Sequence, residues 1–149
     1  MGELGLDRAK PADADELAEI SRRAFHSDVN CGGVGEGGPP GYDSPQWQKF
    51  IMGKGKYFKF LLDGKLIGGA IVFPQGRGHF HLGRIFLDPA CHRKGLGTKA
   101  MRLVMEEFPS AEKWSLETPP WNTRTRAFYL QQGFRIVGET QDDLFLEKP

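Results

Sequence analysis

The stretch His79-Phe-His-Leu-Gly-Arg-Ile-Phe-Leu-Asp-Pro-Ala-Cys-His-Arg-Lys-Gly-Leu-Gly-Thr-Lys-Ala100 constrains this chain more than any other. Its first half reads as a strand. The apolar run Ile85-Phe86-Leu87 stops at Asp88-Pro89, where proline removes an amide donor. Its second half reads as a glycine-bearing loop that opens a helix. Leu96, Ala100, Leu103, Val104 and Phe108 recur at helical spacing, and Pro109 stops them. A strand, a loop holding Gly95 and Gly97, and a helix start form an arrangement suited to phosphate. Glycine lets the backbone come close, and the unpaired N–H groups of the first turn face the anion. Arg93 and Lys94 add positive charge at the same mouth.

The segment His92-Arg93-Lys94-Gly95-Leu96-Gly97 resembles the pyrophosphate-gripping signature of the GNAT superfamily of acyl-CoA-dependent N-acyltransferases, Gln/Arg-x-x-Gly-x-Gly/Ala. His92 stands where the family has Gln or Arg, a position that acts largely through its backbone. A second match follows Gly97 at a family-like distance. Asn122, then Tyr129, then Gly133-Phe134 keep the family's order and spacing. The resemblance covers the last two-thirds of the chain well and the N-terminal third in outline. It implies a single GNAT acetyltransferase domain over 1–149, of α/β (α+β) class. The sheet would be mixed and mostly antiparallel, with about six to seven strands flanked by about four helices.

Acyl transfer from a thioester to an amine needs a held cofactor, a base for the amine, stabilisation of the carbonyl oxygen and a proton for the leaving thiolate. The resemblance assigns these by position. His92, Arg93, Lys94, Gly95, Leu96, Gly97 and Thr98 would hold acetyl-CoA, the co-substrate. Phe86 and Leu87 would pair with its pantetheine arm, beside a strand bulge that nothing in the sequence marks. Tyr129 would protonate the thiolate. Asn122 would bond the cofactor arm, although a plain helix cap fits it too. His81 sits where some relatives carry a Glu or His that deprotonates the amine, and its ordinary pKa near 6.5 suits the task. Glu117 is its rival on the adjacent strand. His79 shares the strand face of His81, and alternation puts Arg84 on the opposite face.

The rest of the chain reads in order. Leu4 to Ala9 alternates as a strand. Pro11 and Asp13 start a helix, with Glu16 placed to complete a capping box, and Leu17, Ile20, Ala24 and Phe25 face the core. From Gly32 to Gly41, six glycines and two prolines in ten residues oppose regular structure. That stretch is either a bystander surface loop or part of the acceptor site. Ser44-Pro45-Gln-Trp47 starts a helix reaching Met52. Trp47 either packs that helix or lines the acceptor pocket. Tyr57–Leu62 and Lys65–Phe73 form a hairpin across Asp63-Gly64, and Pro74 to Gly78 turns into the next strand. Gly68 and Gly69 inside the hairpin mark a bulge or a close approach. Trp114–Thr118 is a strand parallel to the one before it, by the crossover rule. A helix from Asn122 to about Gln132 and a hairpin, Phe134–Glu139 with Leu144–Glu147, close the chain.

Composition narrows the classes. The chain has 149 residues, 39% hydrophobic and 26% charged, with a formal net charge of +1. That suits a soluble domain and opposes a broad nucleic-acid surface. No apolar run approaches the about 18 residues of a membrane span. The start lacks a signal-peptide pattern, and Cys31 and Cys91 offer no disulfide framework, which fits a reduced, cytoplasmic setting. Cys91 has no partnered His–Asp pair, so it reads as incidental. The expected partner is a small-molecule or peptide amine, without metal, nucleic acid or membrane, and with a homodimer open. Two alternatives remain at this point. Gly95-x-Gly97-x-x-Ala100 also fits a dinucleotide fingerprint, with Glu117 at ribose distance, though the loop before it is long. A non-catalytic acyl-CoA sensor would keep the same motifs.

Overall fold

In a computed structural model, which describes residues 3–27, 39–91 and 95–149, seven strands form one sheet in the order β1-β2-β3-β4-β5-β7-β6. The strands are β1 (Leu4–Arg8), β2 (Lys56–Leu62), β3 (Lys65–Gly76), β4 (His79–Leu87), β5 (Lys113–Thr118), β6 (Arg135–Glu139) and β7 (Leu144–Lys148). Only β4 and β5 pair in parallel. Among the described residues, four α-helices flank the sheet: α1 (Ala14–His26), α2 (Pro45–Met52), α3 (Leu96–Glu106) and α4 (Thr123–Gln131). One parallel pair in an otherwise antiparallel sheet is the expected architecture, and it does not match the doubly wound sheet of a dinucleotide fold.

Local chemistry explains most of the boundaries. Asp63 and Gly64 both have positive φ, 52° and 81°, the conformation that lets a two-residue turn follow the strand twist. The Ser44 hydroxyl accepts from the Trp47 amide at 3.1 Å and Pro45 opens α2. Gly133 leaves α4 at φ 96°. The start of α1 differs from expectation. A short 3-10 turn, Pro11–Asp13, precedes it. The Asp13 carboxylate folds back to the Lys10 amide at 2.8 Å and meets the Lys59 ammonium at 3.0 Å. Those bonds take the place of the capping box expected from Glu16. The third strand also runs further than expected. It continues through Pro74 to Gly76, and the turn is Arg77–Gly78, again with positive φ at both residues. Pro74 is tolerated because β2 ends opposite Val72, so this part of β3 lies on an open edge.

Apolar side chains alternate across the sheet and feed two cores. On one face, Phe58, Phe60, Val72, Leu82 and Leu116 meet Ala100, Met101 and Val104 of α3 and Tyr129 of α4. On the other, Tyr57, Ile71 and Phe86 meet Leu17, Ile20 and Ala24 of α1 and Ile51 of α2. Each fully buried aliphatic chain contributes roughly 1.5–3 kcal/mol, so both helical layers are firmly seated. Beneath them, Gly68 lies so close to β4 that a Cβ would stand 2.1 Å from the Phe86 carbonyl oxygen. Close approach is therefore the reason for glycine there. The β3 bulge falls one residue earlier, at Ile67, where Phe60 pairs with Gly68 and Leu61 with Leu66.

Candidate active site

The site is built on an irregularity in β4. Ile71 pairs with Arg84 while the next residue, Val72, pairs with Leu82, so Gly83 is an extra residue on β4. A bulge bends a strand and raises its twist. Here it coincides with the end of the parallel ladder, whose last pair is Leu82 with Leu116. Beyond it, Arg84–Leu87 stay bonded to β3 while β5 turns away to β7. The result is a wedge between β4 and β5. At Gly83 a Cβ would stand 2.4 Å from the Phe73 ring, so any larger residue would have to displace that ring.

The extra residue also inverts the strand's facing. Arg84 was expected opposite His81, but the bulge returns it to the same face. Its guanidinium lies 4.0 Å from the centre of the Trp47 ring and donates to the Pro40 carbonyl. One of its nitrogens, Nη1, is buried without a hydrogen-bond partner. Burial pushes the guanidinium down to about 10, with the nearby Tyr57 acting in the opposite sense. Trp47 thus both packs α2 and carries Arg84. Buried Gln48 holds the same corner, donating to the Gly41 and Tyr42 carbonyls at 3.1 and 3.4 Å and accepting from the Tyr57 hydroxyl.

Where the wedge opens, a cavity of about 350 Å³ lies between α1, β4 and α4. That volume falls within the usual range for small-molecule sites. Ile85, Phe86 and Leu87 of β4 form its floor. Gly95, Gly97 and Thr98 bring the N-terminus of α3 to its edge, and Thr125, Phe128 and Tyr129 of α4 form a wall with Phe25 of α1. The lining is mostly apolar, yet it ends at a helix N-terminus whose first amides have no partner within the helix. Gly95 enters that helix in the left-handed conformation, φ 72° and ψ 5°. An extended molecule with an apolar arm and an anionic end fits these surroundings, so the residues present suit a CoA thioester.

The expected site residues fall into three groups. Phe86, Leu87, Gly95, Gly97, Thr98 and Tyr129 converge on the cavity. Tyr129 is 8% exposed, with its ring against Phe128 and Phe134 at 5.3 and 5.8 Å. Gly97 has a packing reason as well, since a Cβ there would stand 3.2 Å from the Phe128 ring. Leu96 and Asn122 have structural roles. Leu96 is buried in the core, and the Asn122 side chain accepts from the Thr125 amide at 3.1 Å as the cap of α4. His92, Arg93 and Lys94, like 32–38 of the glycine-rich loop, lie outside the described residues.

The third group lines the α1 and α2 face of the wedge. His81 pairs with Ser115 across the parallel ladder, and His79 shares its face. His81 Nδ1 and His79 Nε2 each lie 2.8 Å from the Ser115 hydroxyl oxygen. Burial lowers the His81 pKa below its ordinary value, Glu117 raises it in part, and His79 lowers it further. A neutral imidazole at pH 7 follows. Glu117 is exposed, one residue past the last β4–β5 pair. Ser115 escaped the sequence reading. Its only signal was alternation with Glu117, and that points to His81 only once the strand register is known. Among the described residues, no group of three or more His, Cys, Asp and Glu is placed to hold a metal ion, and no helix is long and apolar enough to cross a membrane.

Comparison with known proteins agrees with this geometry. The chain is 29% identical over 135 residues to the uncharacterized protein YrkN of Bacillus subtilis (strain 168), covering 89% of this chain and 73% of that protein. Its fold matches that of the PaiA N-acetyltransferase from Thermoplasma acidophilum, solved with coenzyme A, at a TM-score of 0.82 and 16% identity over 98% of both chains. An acetyltransferase from Thermus thermophilus superposes equally well, with a TM-score of 0.82 and 16% identity over 98% of this chain and 96% of that one. At such identities the two structures speak for the fold. Residues 15–134 match the model of the acetyltransferase (GNAT) family, and the chain belongs to that family.

Proposed function

We infer that this protein is an acetyl-CoA-dependent N-acyltransferase that acetylates a primary amine of a small molecule or peptide by direct attack. The observation that carries the reading is the wedge. The bulge at Gly83 ends the β4–β5 ladder beside a cavity that runs from Tyr129 to the N-terminus of α3. The coenzyme A in the Thermoplasma relative supports the choice of donor.

In this reading the thioester lies along Phe86 and Leu87, with its phosphates at Gly95 to Thr98. The amine approaches from the face carrying His81, Glu117 and Arg84. As the nitrogen bonds to the carbonyl carbon, His81 takes the amine proton at Nε2, either directly or through water. The carbon–sulfur bond then breaks, and Tyr129 gives its phenolic proton to the sulfur. Glu117 holds the imidazolium by its charge. A neutral imidazole beside a carboxylate is suited to accept the proton, because the carboxylate favours the positive charge that results.

The test is a panel of primary amines (amino acids, polyamines, aminoglycosides and peptide N-termini) incubated with acetyl-CoA. Thiol release would be followed with mass analysis of the amine. Amine-dependent thiol release with an acetylated product supports the reading. Tight acetyl-CoA binding with no turnover across the panel would make the protein a sensor instead.

A further inference from the structure

Two imidazoles share one hydroxyl at the start of the β4–β5 ladder. His81 Nδ1 and His79 Nε2 both contact Ser115 Oγ at 2.8 Å. No other hydrogen-bond partner of this hydroxyl is present among the described residues. A hydroxyl has one proton to donate. If both ring nitrogens carried hydrogen, the serine proton would have no acceptor. If neither did, one of the two contacts would set lone pair against lone pair. One ring therefore donates to Ser115 and the other accepts from it, and the three groups form a chain with a direction.

The strands give that chain two ends. His81 sits one residue before the last parallel pair, next to the wedge, whereas His79 begins β4 beside the Arg77–Gly78 turn, at the far end of the ladder. We propose that His81, Ser115 and His79 form a proton exit: a proton taken up at His81 Nε2 leaves through its Nδ1–H, the Ser115 hydroxyl and His79. The proposal rests on His81 being the base. In the balanced step, the amine proton bonds to His81 Nε2 and the Nδ1 proton passes to Ser115 Oγ. The original Ser115 proton passes to His79 Nε2, and the His79 Nδ1 proton goes to water. Each group ends neutral, with its hydrogen bonds reversed, and ring and hydroxyl rotation restores the starting order.

The surroundings favour this direction. Glu117 on β5 raises proton affinity at the His81 end, while His79 opposes two charges at once. Phe73 of β3, opposite His81, brings no charge. Lys113 of β5 stands opposite His79 and Glu147 of β7 opposite Ser115, and these two pair with each other at 3.7 Å.

A purely orienting role for Ser115 and His79 makes different predictions. His79→Gln keeps an acceptor for the Ser115 hydroxyl but cannot carry a proton. With the best amine and at low buffer concentration, exit predicts a kcat lower by about tenfold. Melting temperature and KM should be nearly unchanged, and added imidazole buffer should restore kcat. Wild-type turnover in this variant, or a deficit that buffer does not restore, overturns the proposal. His81→Gln separates the two layers. Full activity there removes the base reading itself, while loss there with normal His79→Gln turnover removes only the exit. Nitrogen-15 correlation spectra of the wild-type protein provide a measurement free of variants. The proposal requires both rings as the Nδ1–H tautomer, and any other combination contradicts it.

Discussion

The Arg84 guanidinium stacks 4.0 Å from the centre of the Trp47 ring, on the face that simple alternation along β4 would deny it. The extra residue Gly83 brings it there. The same bulge therefore opens the wedge and places a half-buried cation on the face where we propose the amine approaches. The stack and the bond to the Pro40 carbonyl tie the segment before α2 to β4. Arg84→Lys keeps a charge but loses the planar fork. It should lower stability by about 1 kcal/mol, from the lost stacking and hydrogen bond. Urea unfolding measures this, and unchanged stability would mean that the stack contributes nothing.

Gly68 makes the second prediction. Its alanine variant would press a methyl group against the Phe86 carbonyl oxygen, a backbone atom that cannot rotate aside as a side chain can. Overpacking of this kind costs about 1–3 kcal/mol. It should also displace the floor of the cavity, so acetyl-CoA affinity should fall together with stability. Gly5→Ala in β1 is the control, because its new methyl would meet only the Leu61 carbonyl oxygen at 3.9 Å. Equal stability and affinity for the two variants would refute the role given to Gly68.

Tyr129→Phe removes a hydroxyl and keeps the ring that packs against Phe128 and Phe134. As the thiolate's proton donor, Tyr129 should contribute about 10²–10⁴-fold to kcat. Melting temperature and CoA affinity should change little. A variant that loses stability yet turns over normally in its folded fraction would make Tyr129 a packing residue alone.

Glu117→Gln tests the electrostatics of the proposed base, His81. The Glu117 carboxylate raises the His81 pKa, partly offsetting the lowering by burial. Without it the imidazolium loses its favourable partner, and the midpoint should move further below 6.5. The acid limb of kcat should move to lower pH in step. Imidazole resonances followed by NMR give the midpoint directly. A midpoint that stays or rises would contradict this role, and loss of the acid limb altogether would make Glu117 the base.

The signals that were legible in the sequence are those set by one or two neighbouring residues. Ser44-Pro45, Asp63-Gly64 and Gly133 declare themselves because a hydroxyl, a positive φ or a missing amide acts locally. The resemblance to the GNAT motif singled out Asn122 and Tyr129; the first caps α4 and the second lines the cavity. Arg84 and Ser115 were misplaced or missed because their positions depend on register between strands. Nothing near Gly83 in the sequence distinguishes a bulged glycine from a paired one. What decides is the Phe73 ring, which arrives from the neighbouring strand. The Arg77–Gly78 turn was hidden for a related reason. Pro74 reads as a strand end until β2 is seen to stop at Lys56.

The account rests most heavily on the wedge as the seat of the acyl-CoA, and hydrogen–deuterium exchange with and without acetyl-CoA tests it directly. Slower exchange at Arg84–Leu87 and at the first turn of α3, with β1 and β2 unaffected, is the predicted result. Saturating acetyl-CoA that leaves both segments unchanged, or that protects a different part of the sheet instead, would contradict it.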